Sequence, residues 1–146
     1  MKIARKFLPL AFVLPLAAGA VLTTAPTAQA YTGKGCDTST EWCGVFFYNS
    51  SYEGSRTAFM KDSVPDLAGY KFLDTGAGQG LAVKNNAASF INGGNANMTV
   101  FYNSNYSGPC DSFKPRAAAP RLRNTYNENA SLQFGYTSTS CYTWTA

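Results

Sequence analysis

A 15-residue pattern that occurs twice, 54 residues apart, limits this chain more than any other feature. Phe47, Tyr52 and Gly54 in the window 45–59 return as Phe101, Tyr106 and Gly108 in the window 99–113. With Tyr48/Tyr102, Asn49/Asn103, Ser50/Ser104 and Phe59/Phe113 the identities number seven. A self-similar period of this size marks two copies of one supersecondary unit.

Each copy reads as a β-hairpin with an aromatic lid. A run of aromatic and β-branched residues leads into Asn-Ser-Ser or Asn-Ser-Asn, whose side chains bond nearby backbone and whose Asn tolerates the left-handed region. Tyr52 or Tyr106 then folds over the turn. Gly54 or Gly108 supplies a position without Cβ, at positive φ or against the ring.

The segments between and after the hairpins extend the duplication. Residues 60–80 hold Pro65, Gly69, Gly76, Gly78 and Gly80 and little helical periodicity beyond 64–67, which predicts a loop with one short helical turn. The spaced glycines lack the dinucleotide spacing and the Gly-Lys-Ser/Thr ending of a phosphate cradle. Residues 81–92 read as strand, tight turn at Asn85 and Asn86, and a returning strand led by Ser89. Asn127, Glu128 and Ser131 take the same places in the second half. Residues 115–120 are too short and too proline-bounded for a helix, and 140–145 are rich in strand formers. The expected architecture is all-β, two four-stranded Greek keys sharing one core. Their expected bounds are about 44–94 and 98–136, with a C-terminal strand over 139–145.

Residues 1–30 read as a secretory signal: Lys2, Arg5 and Lys6, an apolar run over 7–22, and Ala28-Gln29-Ala30 as a cleavage site. The run is short for a membrane span and is broken by Pro9 and Pro15. Its removal takes three of the twelve basic residues and none of the eight acidic ones, leaving a formal charge of +1 on residues 31–146. That remainder is the length of a single domain, expected to be secreted, monomeric and off the membrane. Without a basic face, nucleic acid is not an expected partner.

The chain contains no histidine, which removes the usual general base and the commonest metal ligand. The acidic residues Asp37, Glu41, Glu53, Asp62, Asp66, Asp74, Asp111 and Glu128 are scattered without an obvious pair, so no enzyme activity and no cofactor are expected. Four cysteines in an exported chain point to disulfides, and four allow three connectivities. Cys36 with Cys43, and Cys110 with Cys141, is the favoured pairing. A zinc site would want Cys-x-x-Cys spacing or histidines, and neither is present.

The doubled aromatic-x4-aromatic-x-Gly frame, followed by a polar pair ahead of Ser, resembles the β/γ-crystallin double Greek key over roughly residues 36–136. With the signal, the early pair Cys36 and Cys43, and Tyr52-Glu53-Gly54, the chain more narrowly resembles the secreted Streptomyces metalloproteinase inhibitor family. The resemblance implies a crystallin-like fold and a secreted metalloprotease as partner. Calcium-binding members of the broader family carry a hydroxyl ligand where this chain has Phe90 and Leu132. Asn85, Asn86, Ser89, Asn127, Glu128 and Ser131 are therefore degenerate calcium turns, and no metal is expected. The inhibitor's reactive bond lies in a short disulfide loop of the second half, whereas Cys110 and Cys141 are 31 residues apart, so that bond has no counterpart here.

Two functions remain open on the sequence. One is a secreted protease inhibitor that presents a rigid loop, for which composition nominates the exposed, proline-bounded residues 114–121 with Pro115, Arg116, Pro120 and Arg121. The other is a structural, carbohydrate-binding or toxin-like module, for which the many tyrosines and phenylalanines would form a surface as well as a core.

Overall fold

The computed structural model describes residues 31–36 and 42–146. The secretory signal expected over 1–30, and the acids Asp37 and Glu41, lie outside the described residues. Nine strands are assigned among the described residues: β1 (Tyr31–Gly33), β2 (Cys43–Phe47), β3 (Arg56–Met60), β4 (Ser89–Asn92), β5 (Met98–Asn103), β6 (Ser107–Phe113), β7 (Ala118–Ala119), β8 (Ser131–Phe134) and β9 (Tyr142–Trp144).

The two repeat windows form the hairpins β2–β3 and β5–β6, each an antiparallel pair. They nucleate separate sheets, ordered β1-β3-β2-β4-β7 and β8-β5-β6-β9. The third strand of each key crosses to the other sheet. β7, from the second half, pairs with β4 of the first, and Val64, from the first half, bridges Leu132 of β8 through reciprocal bonds of 2.7 and 2.9 Å. The double Greek key is thus an exchange of strands between halves, and the first half's contribution shrinks to one bridge.

Alternation along the strands sends Phe46, Phe59, Phe90, Phe113, Met98, Val100 and Leu132 into one cluster between the sheets. Phe90 lies at its centre, with ring centroids 4.7 Å from Phe46 and 4.6 Å from Phe113. Each such large apolar side chain contributes about 1.5–3 kcal/mol on burial. Gly44 is required by this packing, because a Cβ there would sit 2.5 Å from the Phe90 ring.

Two smaller clusters cover the outer faces. Cys43, Val45 and Phe47 pack with Cys36 and Tyr52 on one sheet, and Phe101, Cys110 and Cys141 pack with Tyr106 on the other. The disulfides join Cys36 to Cys43 and Cys110 to Cys141, so each bridge packs in the cluster of its own tyrosine lid. The second holds β9 beside β6, the one parallel pairing among the assigned strands.

Three local expectations change. Residues 81–83 do not form a strand, and a single Lys71–Ala82 bridge is what remains of one, because bonds such as Gln79 N–H to the Gly76 carbonyl coil the preceding glycines into successive turns. The short helical turn falls at Leu67–Gly69, starting three residues later than the 64–67 pattern placed it, where the Asp66 side chain accepts the Ala68 N–H. Residues 114–121 are not exposed throughout. Ala117 and Ala119 are fully buried in the main core cluster, because β7 adds an edge strand to the first sheet beside β4.

Candidate functional site

The hairpin turns show why Tyr and Gly recur at fixed spacing. Ser51, Tyr52 and Gly54 all take positive φ, as do Asn105, Tyr106 and Gly108 in the second copy. That backbone folds each tyrosine back on its own strand, so that Tyr52 meets Phe47 edge-on at 5.8 Å and Tyr106 meets Phe101 at 6.1 Å. Burial in these contacts raises both phenol pKa values above the ordinary one.

A serine from a distant strand locks each turn. The Ser89 hydroxyl donates to the Asn49 carbonyl at 2.6 Å and accepts the Tyr52 N–H. Ser131 does the same for the Asn103 carbonyl, at 2.7 Å, and the Tyr106 N–H. Both serines are fully buried.

The two polar turns meet between the sheets. Asn85 donates its N–H to the Asn129 carbonyl at 2.8 Å and Asn127 donates to the Ala87 carbonyl at 2.9 Å. The Asn129 side chain, fully buried, accepts the Ala87 N–H and donates to the Val83 carbonyl. Asn85 and Asn127, in left-handed backbone, therefore belong to one clasp, with a small pocket on each side. The first, about 170 Å³, is lined by Tyr48, Asn49, Ser50, Asn86, Tyr126 and Asn127 among others. The second, about 220 Å³, is lined by Lys84, Tyr102, Asn103, Ser104 and Glu128.

These pockets lie at the degenerate calcium turns, and their chemistry does not fit the ion. Calcium wants six to eight oxygens with carboxylates among them. The first pocket is lined by amides, hydroxyls and rings without a carboxylate. In the second, the Lys84 ammonium donates to the Ser104 hydroxyl at 3.0 Å and pairs with Asp66 at 3.0 Å, which places a positive charge where a cation would have to sit. Phe90 and Leu132 are in the core. Among the described residues no group of three or more His, Cys, Asp or Glu is placed to hold a metal.

Of the proline-bounded segment, Pro115, Arg116, Pro120 and Arg121 are exposed. The Arg116 guanidinium donates to the Gly93 carbonyl and to Asn95 Oδ1, which fixes one corner. Arg121 lies over the Tyr126 ring, 4.3 Å from its centroid, which fixes the other. Its C-terminal end reaches the clasp's first pocket: the Pro120 carbonyl accepts the Ser51 N–H at 2.7 Å, Leu122 donates its N–H to the Ala88 carbonyl, and Arg121 rests on Tyr126, which lines that pocket.

Asp111 was missed among the scattered acids. Fully buried, it accepts from the N–H groups of Arg123, Asn124 and Thr125, from the Thr125 hydroxyl and from Trp144 Nε1. The repeat itself carries the signal, since Asp111 occupies the place of Thr57, whose hydroxyl ties down Lys71 and Leu73 in the first half.

The family model of peptidase inhibitor family I36 matches residues 41–113. No curated protein matches the sequence. Among solved structures, the chain is similar to a domain from work on the evolution of the eye-lens βγ-crystallin fold, at 12% identity and a TM-score of 0.57, over 75% of this chain and 100% of that one. It is similar to the N-terminal domain of protein S at 16% identity and a TM-score of 0.50, over 67% and 98%. A βγ-crystallin from Ciona intestinalis matches at 19% identity and a TM-score of 0.49, over 63% and 98%. At such identities the first two likenesses show the fold alone.

Proposed function

The chain belongs to peptidase inhibitor family I36, and on that premise we propose that it is exported and blocks an extracellular metalloprotease by presenting a fixed surface to it. The family match over residues 41–113 carries this reading. Supporting it are the signal-like residues 1–30 and two disulfides, which suit an oxidising compartment. The early Cys36–Cys43 bridge, beside the Tyr52-Glu53-Gly54 hairpin, is where the chain resembles the Streptomyces metalloproteinase inhibitors.

An inhibitor of this kind gains affinity by holding its contact surface in the bound shape beforehand. The proline-bounded segment has that property in a form the sequence did not suggest. Its middle is buried as β7, and its two exposed corners, Pro115–Arg116 and Pro120–Arg121, are held by Arg116 and by Arg121. Residues 31–146 act as one domain in this reading, with Greek keys over about 44–94 and 98–136 and a C-terminal strand over 139–145 strapped beside them. The chain acts alone and makes or breaks no bond itself.

A panel separates this function from a carbohydrate-binding or structural role. The disulfide-intact protein is incubated with zinc metalloproteases, with serine proteases and, separately, with insoluble polysaccharides. Loss of peptide-hydrolysing activity confined to the zinc enzymes supports the proposal. Retention on polysaccharide with every protease fully active overturns it.

A further inference from the structure

The second half carries Asp111 where the first has Thr57, and a groove lies above it. It has a volume of about 380 Å³ and is lined by Arg121, Leu122, Arg123, Tyr126, Tyr142 and Trp144. Alternation along 121–123 turns Leu122 into the core and leaves both arginines at the mouth. Each guanidinium rests on a tyrosine ring, Arg121 on Tyr126 at 4.3 Å and Arg123 on Tyr142 at 4.2 Å. Trp144 stacks on Phe113 behind them.

Asp111 fixes both banks. It accepts the backbone of 123–125 on one side and Trp144 Nε1 on the other, while the Cys110–Cys141 bridge clamps the adjoining residues. Its oxygens are thereby taken up by five donors beneath the groove.

The two arginines are left with charge to offer. The ion pairs among the described residues are Lys34–Asp74, Arg56–Asp74 and Lys84–Asp66, and no guanidinium bond of Arg121 or Arg123 to a carboxylate is found among those residues. A guanidinium lying flat on a ring keeps its in-plane N–H groups free, in the fork geometry that matches a carboxylate.

We propose that this groove binds an acidic segment of a partner polypeptide, with carboxylates on the two guanidiniums and an apolar side chain over the floor between them. Two arginines around a confined apolar floor suit a short peptide segment better than a sulfated polymer, which needs an extended basic face, and the charge on residues 31–146 is only +1. The proposal goes beyond the inhibitory reading. The residues lining the groove, Arg121 to Trp144, follow the segment matched by the inhibitor family, and binding is read without any protease.

The test uses the full disulfide-bonded protein and a fluorescein-labelled peptide centred on Glu-Leu-Glu, with a twin in which Gln replaces each Glu. Fluorescence anisotropy at low salt is expected to show saturable binding of the acidic peptide, weakened about tenfold or more in the Gln twin and in R121Q/R123Q. Both arginines are exposed, so the variant is expected to stay folded, its melting temperature lowered only by the loss of two surface cation–π contacts. Equal binding of the two peptides, undiminished binding by R121Q/R123Q, or binding of a heparin oligosaccharide through these arginines with none of the peptide would overturn the proposal. If protease inhibition fails while the acidic peptide still binds, the inhibitory reading falls and the groove stands.

Discussion

The Ser89 hydroxyl accepts the Tyr52 N–H at 3.1 Å across 37 residues of chain, which ties the returning strand of the first key to the lid of its own hairpin. Ser131 and Tyr106 repeat the bond at 3.1 Å across 25. Replacing either serine by alanine strands a carbonyl and an N–H beside a buried strand. Ser89→Ala and Ser131→Ala are each expected to cost about 1–3 kcal/mol. Urea denaturation measures this, and unchanged midpoints would show that the tyrosine lids hold without the serines.

The tyrosine lids also set the behaviour at high pH. Burial raises the Tyr52 and Tyr106 pKa values in the folded state, so above the ordinary phenol value of about 10 the unfolded chain sheds these protons first. Stability from these groups is fully present below that value and is lost as pH rises from it through the raised one. In ultraviolet titration two phenols are expected to ionise late, and Tyr52→Phe and Tyr106→Phe are each expected to remove one of them. Late titration that survives both changes would assign it elsewhere.

The acid side has the opposite sign. The Ala68 N–H and then Lys84 hold Asp66 below the usual carboxylate range, and the Thr75 N–H, with Arg56 and Lys34, does so for Asp74. Their contribution is present above the ordinary carboxylate value and is lost as pH falls through the lowered one. The Asp66 side chain is half exposed and that of Asp74 a quarter exposed, and solvent screening of such surface pairs keeps the expected acid loss small. An acid-induced fall in melting temperature that disappears in D66N/D74N would show it to be large.

The two disulfides are unequal. Cys110–Cys141 closes a loop of 31 residues and Cys36–Cys43 one of seven. Removing the longer bridge by C110A/C141A is expected to cost about 2–5 kcal/mol and more than C36A/C43A, because the longer loop restrains the unfolded chain more. Denaturation curves of the two variants compare them, and the reverse order would count against this entropic account.

Millimolar calcium is expected to move the melting temperature little, since a ligand stabilises only as far as it occupies its native site. Lys84 stands in one pocket and the other has no carboxylate lining it. A rise of many degrees in a calcium titration would contradict this.

What was legible in the sequence is what the repeat spells out locally. Phe47, Tyr52 and Gly54 and their counterparts carry the turn geometry in their own residue types, and the disulfide pairing followed from chain spacing. What was hidden depends on contacts across the chain. Ser89 and Ser131 were read with the polar turns, because nothing local shows that their hydroxyls reach Asn49 and Asn103. Ala117 to Ala119 gave no apolar and polar alternation to reveal β7, and the crossing at Val64 is a single bridge, too short for any pattern. Lys84 meets Ser104 from 20 positions away. The groove has no motif, since Arg121, Arg123, Tyr142 and Trp144 are gathered only once Asp111 is buried.

Steady-state inhibition of a thermolysin-like zinc protease by the disulfide-intact protein tests the central claim most directly, with inhibitor raised to about 10 μM to include affinities weaker than those of standard stable complexes. The account predicts a dose-dependent loss of activity that is unaffected by added zinc, which separates inhibition from metal removal. Full activity at every concentration, across several metalloproteases, would contradict it.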